Sequence, residues 1–185
     1  IKDSLSFLGT GVIYIEKWPF VADADGEYRW WDFLQRPNVT VAEFRFMQSE
    51  LKHSSLTTIF ASRGGSVVRY GNSSIGQVRL MGAGPGYSQI NDLNIASGRY
   101  FTPHETEAGR NVAVIGYEVM QALFIDADVA LGKVIKVKGL KYVVVGVLNK
   151  EGQSFLGTPS NDYATIIPYN AFRRLYQTGT GAPFE

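Results

Sequence analysis

Apolar residues along this chain recur first at helical and then at strand spacing, and the switches between the two periods mark its elements. Ile1, Leu5 and Leu8 stand on one helical face before Gly9-Thr10-Gly11, so residues 1–8 read as the end of a helix stopped by glycine. From Val12 the period drops to two. Val12, Tyr14, Glu16 and Trp18 face one way and Ile13, Ile15 and Lys17 the other, which predicts a strand running to Pro19. Residues 20–38 are loop-like yet hold Tyr28, Trp30, Trp31 and Phe33, and an aromatic loop of that kind packs on something. At Thr40 the helical period returns, with Val41, Phe44, Met47 and Leu51 on one face. Thr40 and Glu43 have the spacing of a capping box, so an amphipathic helix is predicted over 40–52.

Three short extended runs follow at 56–61, 66–70 and 76–81, separated by Gly64-Gly65 and by Asn72-Ser73-Ser74, which suggests an antiparallel meander. Gly82, Gly84 and Gly86 lead to a short helix near 87–92 and a turn at Ser97-Gly98-Arg99. Thr102 caps another helix start, with Pro103 at its first position. Beyond it the pattern gives a strand at 111–115, a helix at 117–124, strands at 134–138, 141–148 and 163–167, and a helix at 169–176. Helices and strands mix without a strict βαβ rhythm, so the expected class is α+β, a mixed, largely antiparallel sheet with a few short helices.

Composition narrows the function by exclusion. The 185 residues carry 18 Lys plus Arg against 17 Asp plus Glu, with 45% hydrophobic and 19% charged residues. A disordered chain is poorer in apolar residues, and a nucleic-acid binder concentrates a basic excess that this balance lacks. The chain has no cysteine, which removes disulfides, thiolate-ligated zinc, iron–sulfur and thiol chemistry together. The longest aliphatic stretch, residues 142–148, is far below the roughly 18 residues a membrane span requires. The first residues lack the features of a signal peptide, so either no export is needed or the exporting segment lies outside this sequence.

The candidate chemistry is thin. Gly82-Ala83-Gly84-Pro85-Gly86 after a strand invites a phosphate cradle, but the third glycine of the dinucleotide fingerprint is misplaced and Pro85 removes an amide, so a tight turn is favoured. Asp23, Asp25 and Glu27 read as a solvated acidic turn, lacking the later ligands of a calcium loop. His53 and His104, the two histidines, stand too far apart in sequence to suggest a metal site. No P-loop or Gly-x-Ser-x-Gly motif occurs, so ATP hydrolysis and acyl transfer have no anchor, and no cofactor or metal is expected. Trp18, Tyr28, Trp30 and Trp31 form the one cluster that could serve as a partner surface, although a lid over the first strand is the slightly favoured reading.

The stretch 87–148 resembles the extracytoplasmic domain of MacB/FtsX-type ABC transporter permeases. Carrying the resemblance are Ser97-Gly98-Arg99-Tyr100-Phe101-Thr102-Pro103-x-Glu105, then Asn111 to Gly116 with the helix ending Ala122-Leu123-Phe124. Leu131-Gly132-Lys133-x-Ile135 and Tyr142 to Leu148, with Gly146 inside it, complete the pattern. The start, SLSFLGTGVIYIEKWPF, with Glu27-Tyr28-x-Trp30-Trp31 and Arg36-Pro37, resembles the exit from the first membrane helix in a branch common among Bacteroidetes. The resemblance implies a domain between two membrane helices on the periplasmic face of the bacterial inner membrane. ATP is then hydrolysed by a cytoplasmic subunit or domain, and this domain transmits the motion for efflux or substrate release without doing chemistry. Implied partners are a second permease protomer, the ATP-binding subunit and a periplasmic adaptor, with no nucleic acid.

The implied division is a stalk at 1–8, a membrane-proximal lobe at 9–63 completed by chain after 185, a membrane-distal β-rich lobe at 64–168, and a helix with return segment at 169–185. Gly98, Arg99, Phe101, Gly116, Leu123, Phe124, Gly132, Lys133 and Gly146 are then structural residues, with no catalytic role carried over. The alternative is a stand-alone extracytoplasmic module that binds a ligand or protein through the aromatic loop and the Gly82–Gly86 turn.

Overall fold

In the computed structural model, which describes residues 12–15, 17, 38–52, 54–152 and 160–176, the extended runs after residue 56 join into one hairpin instead of a three-stranded meander. Strands β1 (Phe60–Tyr70) and β2 (Ser73–Ala83) pair antiparallel from Phe60↔Ala83 to Tyr70↔Ser73. Gly64-Gly65, expected to turn the chain, lies inside β1, where the register shifts between Arg63 and Ser66 and Gly65 has a φ of 71°. A glycine pair suits a bulge as well as a turn, and here the strand bends and continues. The turn itself falls at Gly71-Asn72.

The remaining strands are β3 (Ile95–Gly98), β4 (Val112–Ile115), β5 (Val134–Val137), β6 (Leu140–Leu148) and β7 (Ala164–Pro168). All seven belong to one sheet in the order β3-β6-β4-β7-β2-β1-β5, and β5 also pairs with β6. Six strands therefore close into a ring. The closing contacts are Val68↔Val137 and Arg69↔Lys136 on one side of β5 and the pairs from Val134↔Val143 to Val137↔Leu140 on the other. The β2–β7 and β4–β6 pairings are parallel and the others antiparallel, so the α+β expectation holds.

Alternation along the strands sorts two buried faces. Val68, Leu80, Ile115, Ile135, Tyr142 and Ile167 belong to the larger core, closed by Val119, Met120 and Leu123 of α4 (Tyr117–Leu123) and by Ala171 and Phe172 of α6 (Tyr169–Tyr176). On the other face Met81, Val114, Leu148 and Ile166 pack with Tyr87 of α2 (Tyr87–Ile90) and with Phe101, just before α3 (Pro103–Glu107).

Helix α1 (Val41–Glu50) starts at its expected capping box: the Glu43 amide donates to Thr40 Oγ1 at 3.2 Å and the Thr40 amide to Glu43 Oε2 at 2.7 Å. None of its residues is buried, and Phe46 is 67% exposed. Local hydrogen bonds fix its start, and its expected apolar face stands apart from the rest: Val41, Phe44 and Met47 are half-buried, whereas the other helix residues are exposed. Thr102 and Glu105 form the same box at α3, with Pro103 at the first turn. Short α5 (Ala127–Ala130) and a 3₁₀ turn at Asn161–Tyr163 were not predicted.

The strand expected at 12–18 is a correction. Val12–Ile15 are described and form no strand, and Ile13 to Ile15 are exposed, because alternation alone cannot make a ladder without a neighbour to pair. The helix expected at 1–8 lies outside the described residues. The seam placed between residues 63 and 64 falls inside β1, whose pairing with β2 resumes on both sides of the bulge.

Candidate functional site

The residues that carry the resemblance lie at three places on the sheet. The first is the end of β3, where Gly98 is the register partner of Gly146 on β6. A Cβ at Gly146 would overlap the Arg99 carbonyl oxygen, and one at Gly98 would overlap the Val145 carbonyl oxygen and the Leu131 side chain. Glycine at both positions lets these backbones approach. The chain then turns so that the Arg99 guanidinium grips Glu105 by two hydrogen bonds, Nη1 to Oε2 at 2.8 Å and Nη2 to Oε1 at 2.9 Å. Arg99 Nη1 also donates to the Tyr100 carbonyl at 3.0 Å, and the Thr102 amide donates to Glu105 Oε2 at 2.8 Å. Buried Phe101 packs its ring 3.9 Å from that of Tyr100, and burial pushes the Tyr100 hydroxyl well above its ordinary pKa.

The Arg99 hydrogen bonds are the main reason that Glu105 titrates at about 2 instead of 4.5. A depressed carboxyl pKa contributes stability above about pH 4.5 that is lost as pH falls towards 2. Arg99 is half exposed, so screening limits the contribution to about 1 kcal/mol. Glu105→Gln should therefore be less stable than the parent at pH 6 and nearly equal to it at about pH 2. Thermal unfolding of both chains across that range checks this, and a difference that does not change with pH would refute the role of the ion pair.

The second place is the β4–α4 junction. Gly116 precedes α4 with a φ of −72°, ordinary for any residue, but a Cβ there would overlap the carbonyl oxygens of Asn161 and Asp162. Opposite it lies a polar knot that the sequence reading missed. The buried Asp162 carboxylate accepts the amides of Glu151 and Gly152, each at 2.9 Å. Glu151 in turn accepts the Asn161 amide at 2.8 Å and its Nδ2 at 2.9 Å. Arg79 of β2 donates to Asn161 Oδ1 at 2.7 Å, and burial lowers its pKa. The only sequence signal was Ser160-Asn161-Asp162, a run of turn formers.

The third place surrounds α4 and β5. Leu123 and Phe124 are buried, with the Phe124 ring 4.5 Å from Tyr70. Gly132 has a φ of 74° with open space beyond its Cα. Lys133 is exposed, and its backbone is held by donation to Ala130 and acceptance from Val144.

The Gly82–Gly86 run is a packed strand-to-helix turn: the Gly84 amide donates to Ile59 at 2.7 Å, and Gly86 caps α2 with a φ of 79°. His104 lies in α3, while His53, Asp23, Asp25, Glu27, Trp18, Tyr28, Trp30 and Trp31 fall outside the described residues. Among the described residues no three His, Cys, Asp or Glu side chains group to hold a metal, and no helix is long and apolar enough to cross a membrane. What this arrangement does is bring backbone segments into close contact at Gly98, Gly116 and Gly146.

A family model for the MacB-like periplasmic core domain matches residues 1–182. The pyoverdine export ATP-binding/permease protein PvdT of Pseudomonas aeruginosa is 36% identical over 113 residues, 60% of this chain and 17% of that protein. YknZ of Bacillus subtilis, an uncharacterized ABC transporter permease, is 27% identical over 152 residues, 80% of this chain and 37% of that protein. The chain thus spans well under half the length of either relative. Among solved structures, the extracellular domain of YknZ from Gram-positive bacteria superposes with a TM-score of 0.62 at 23% identity, covering 76% of this chain and 67% of that one. The periplasmic region of MacB from Actinobacillus actinomycetemcomitans gives 0.61 at 20% identity, covering 88% and 66%. At these identities the superpositions establish the fold alone.

Proposed function

The chain belongs to the family of MacB-like periplasmic core domains, and on that premise we propose that it is the extracytoplasmic domain of an ABC transporter permease, relaying a cytoplasmic ATPase cycle across the bacterial inner membrane for efflux or substrate release. The family match over nearly the whole chain carries this reading, and relatives named as ATP-binding/permease proteins support it. The domain is non-catalytic in this reading. Its partners are a second permease protomer, the ATP-binding subunit and a periplasmic adaptor.

A relay must move as a unit. A ring of six hydrogen-bonded strands with packed cores inside and out resists bending, so displacement at one end reaches the other. Residues 1–8 serve as the stalk and the chain from there to β1 as part of a membrane-proximal lobe completed by chain after 185. The row Val41, Phe44 and Met47 of α1, only half-buried, is a surface which that completion would cover further, and the solved domains, of which this chain covers 67% and 66%, are long enough to supply it. Trp18, Tyr28, Trp30 and Trp31 are proposed to face a partner from the same lobe.

The test is a Gly-Ser linker inserted after Leu8 in the full-length permease. A flexible chain carries little thrust, so transport should be lost while the domain stays folded and the ATPase still binds ATP. Transport at the parental rate would show the domain to be a passive tether.

A further inference from the structure

The wall of the ring made by β1, β5 and the start of β6 is set with cations. The register places Arg69 opposite Lys136 and Lys136 opposite Lys141, a row across three strands spaced about 4.8 Å apart. All three residues are exposed. Like charges directly opposite one another destabilise a sheet, and no carboxylate within these strands relieves the row. The two hairpins, residues 60–83 and 134–148, hold Arg63, Arg69, Arg79, Lys136, Lys138 and Lys141 and not one Asp or Glu. In a chain balanced at 18 basic to 17 acidic residues, that is segregation. The row takes part neither in the ion pair of Arg99 with Glu105 nor in that of Lys150 with Glu118.

The wall is also partly apolar. Val67 stands on one side of the row, exposed at 42%, and the cross-strand pair Val134 and Val143 on the other, at 43% and 38%. Where β1 parts from the β5–β6 turn, a cleft of about 430 Å³ opens between Gly65 and Gly139 and is lined by Arg69, Lys136 and Lys138. Lys138 Nζ also lies 4.3 Å from the centre of the Tyr176 ring, a cation–π contact outside the cleft lining.

We propose that this wall docks an extracytoplasmic protein partner presenting an acidic strip bordered by aliphatic side chains, with one carboxylate entering the cleft. The valines decide the class of partner. A phosphate polyanion would satisfy the cations but gain nothing from flanking aliphatic surface, and an anionic membrane calls for bulky Trp, Phe or Leu inserted among the headgroups. A protein face uses both parts, the charges for steering and the valines for buried area. The inference rests on the extracytoplasmic reading of the domain.

The probe is a fluorescein-labelled peptide alternating glutamate and valine, compared with its lysine–valine counterpart, inorganic polyphosphate and phosphatidylglycerol vesicles. The 185-residue chain should bind the glutamate peptide saturably, more weakly as salt rises, and should not bind the lysine peptide. Arg69→Ser with Lys136→Thr should weaken binding about tenfold while leaving Tm unchanged or higher, since it removes like-charge contacts. Undiminished binding by this double variant would overturn the proposal. So would absence of peptide binding at low salt, or binding of polyphosphate or vesicles as tight as that of the peptide. Because the readout is binding and not transport, failure here leaves the permease reading standing, and a transport result from the stalk insertion does not bear on it.

Discussion

Phe172→Ala is expected to lower stability by about 3–5 kcal/mol and Tm by roughly 10 °C for a chain of this size, the largest loss from truncating a single side chain in the core. Phe172 is fully buried on α6, with its ring 4.7 Å from that of Tyr176. It occupies the space that Gly82 leaves open: a Cβ at Gly82 would overlap Phe172 Cβ and Cγ. The cost depends on how far the surroundings can collapse into the space vacated. Here they cannot collapse far, because Gly82 lies on β2 with Ala61 of β1 on one side and Ile167 of β7 on the other. Denaturant unfolding of Phe172→Ala, Gly82→Ala and the double variant measures this directly. The Gly82→Ala cost should shrink in part once the ring is gone, because the overlap with Cγ is removed and α6 gains room to move, while the overlap with the Cβ of residue 172 stays. Additive costs would mean that α6 shifts freely over the sheet, and the packing account would fail.

Local signals in the sequence were legible because they close over three or four residues. Thr40 with Glu43 and Thr102 with Glu105 specify their helix starts through hydrogen bonds between neighbours, and both boxes form. The helix expected at 169–176 is found with those bounds, since its apolar positions need only one face of the sheet. Closure of the ring was not legible. It depends on Val68 meeting Val137, two valines in runs that any strand could use, and only the accumulated register decides that they meet. The same holds for the cation row. Arg69, Lys136 and Lys141 are plain in the sequence, but nothing local sets them opposite one another. The knot at Asp162 went unread because its partners, Glu151 and Arg79, come from another strand end and another hairpin. Gly64-Gly65 misled because glycine reports permission for an unusual backbone and not which irregularity uses it.

Gly116→Val is expected to cost about 3–4 kcal/mol, from overpacking together with strain on the hydrogen bonds behind it, and to lower Tm by roughly 10 °C. The reason is not conformational, since φ at Gly116 suits any residue. It is that the space a Cβ needs is held by the carbonyls of Asn161 and Asp162. These cannot retreat cheaply. The Asp162 amide donates to Ser160 Oγ at 3.0 Å, the Asp162 carboxylate holds two amides, and the Gly116 amide itself donates to Ala164 at 2.8 Å. Moving the turn away would leave buried donors unpaired, each at about 1–3 kcal/mol. Gly76→Ala is the control, because it too lacks a positive φ but has nothing within 4 Å of its added Cβ. It should shift stability by no more than about 0.5 kcal/mol. If Gly116→Ala proves as mild as Gly76→Ala, the turn yields and the junction is soft. If it approaches the valine variant, the end of β4 and the start of β7 are locked through this one contact, and a relay crossing the ring has a rigid path at that point.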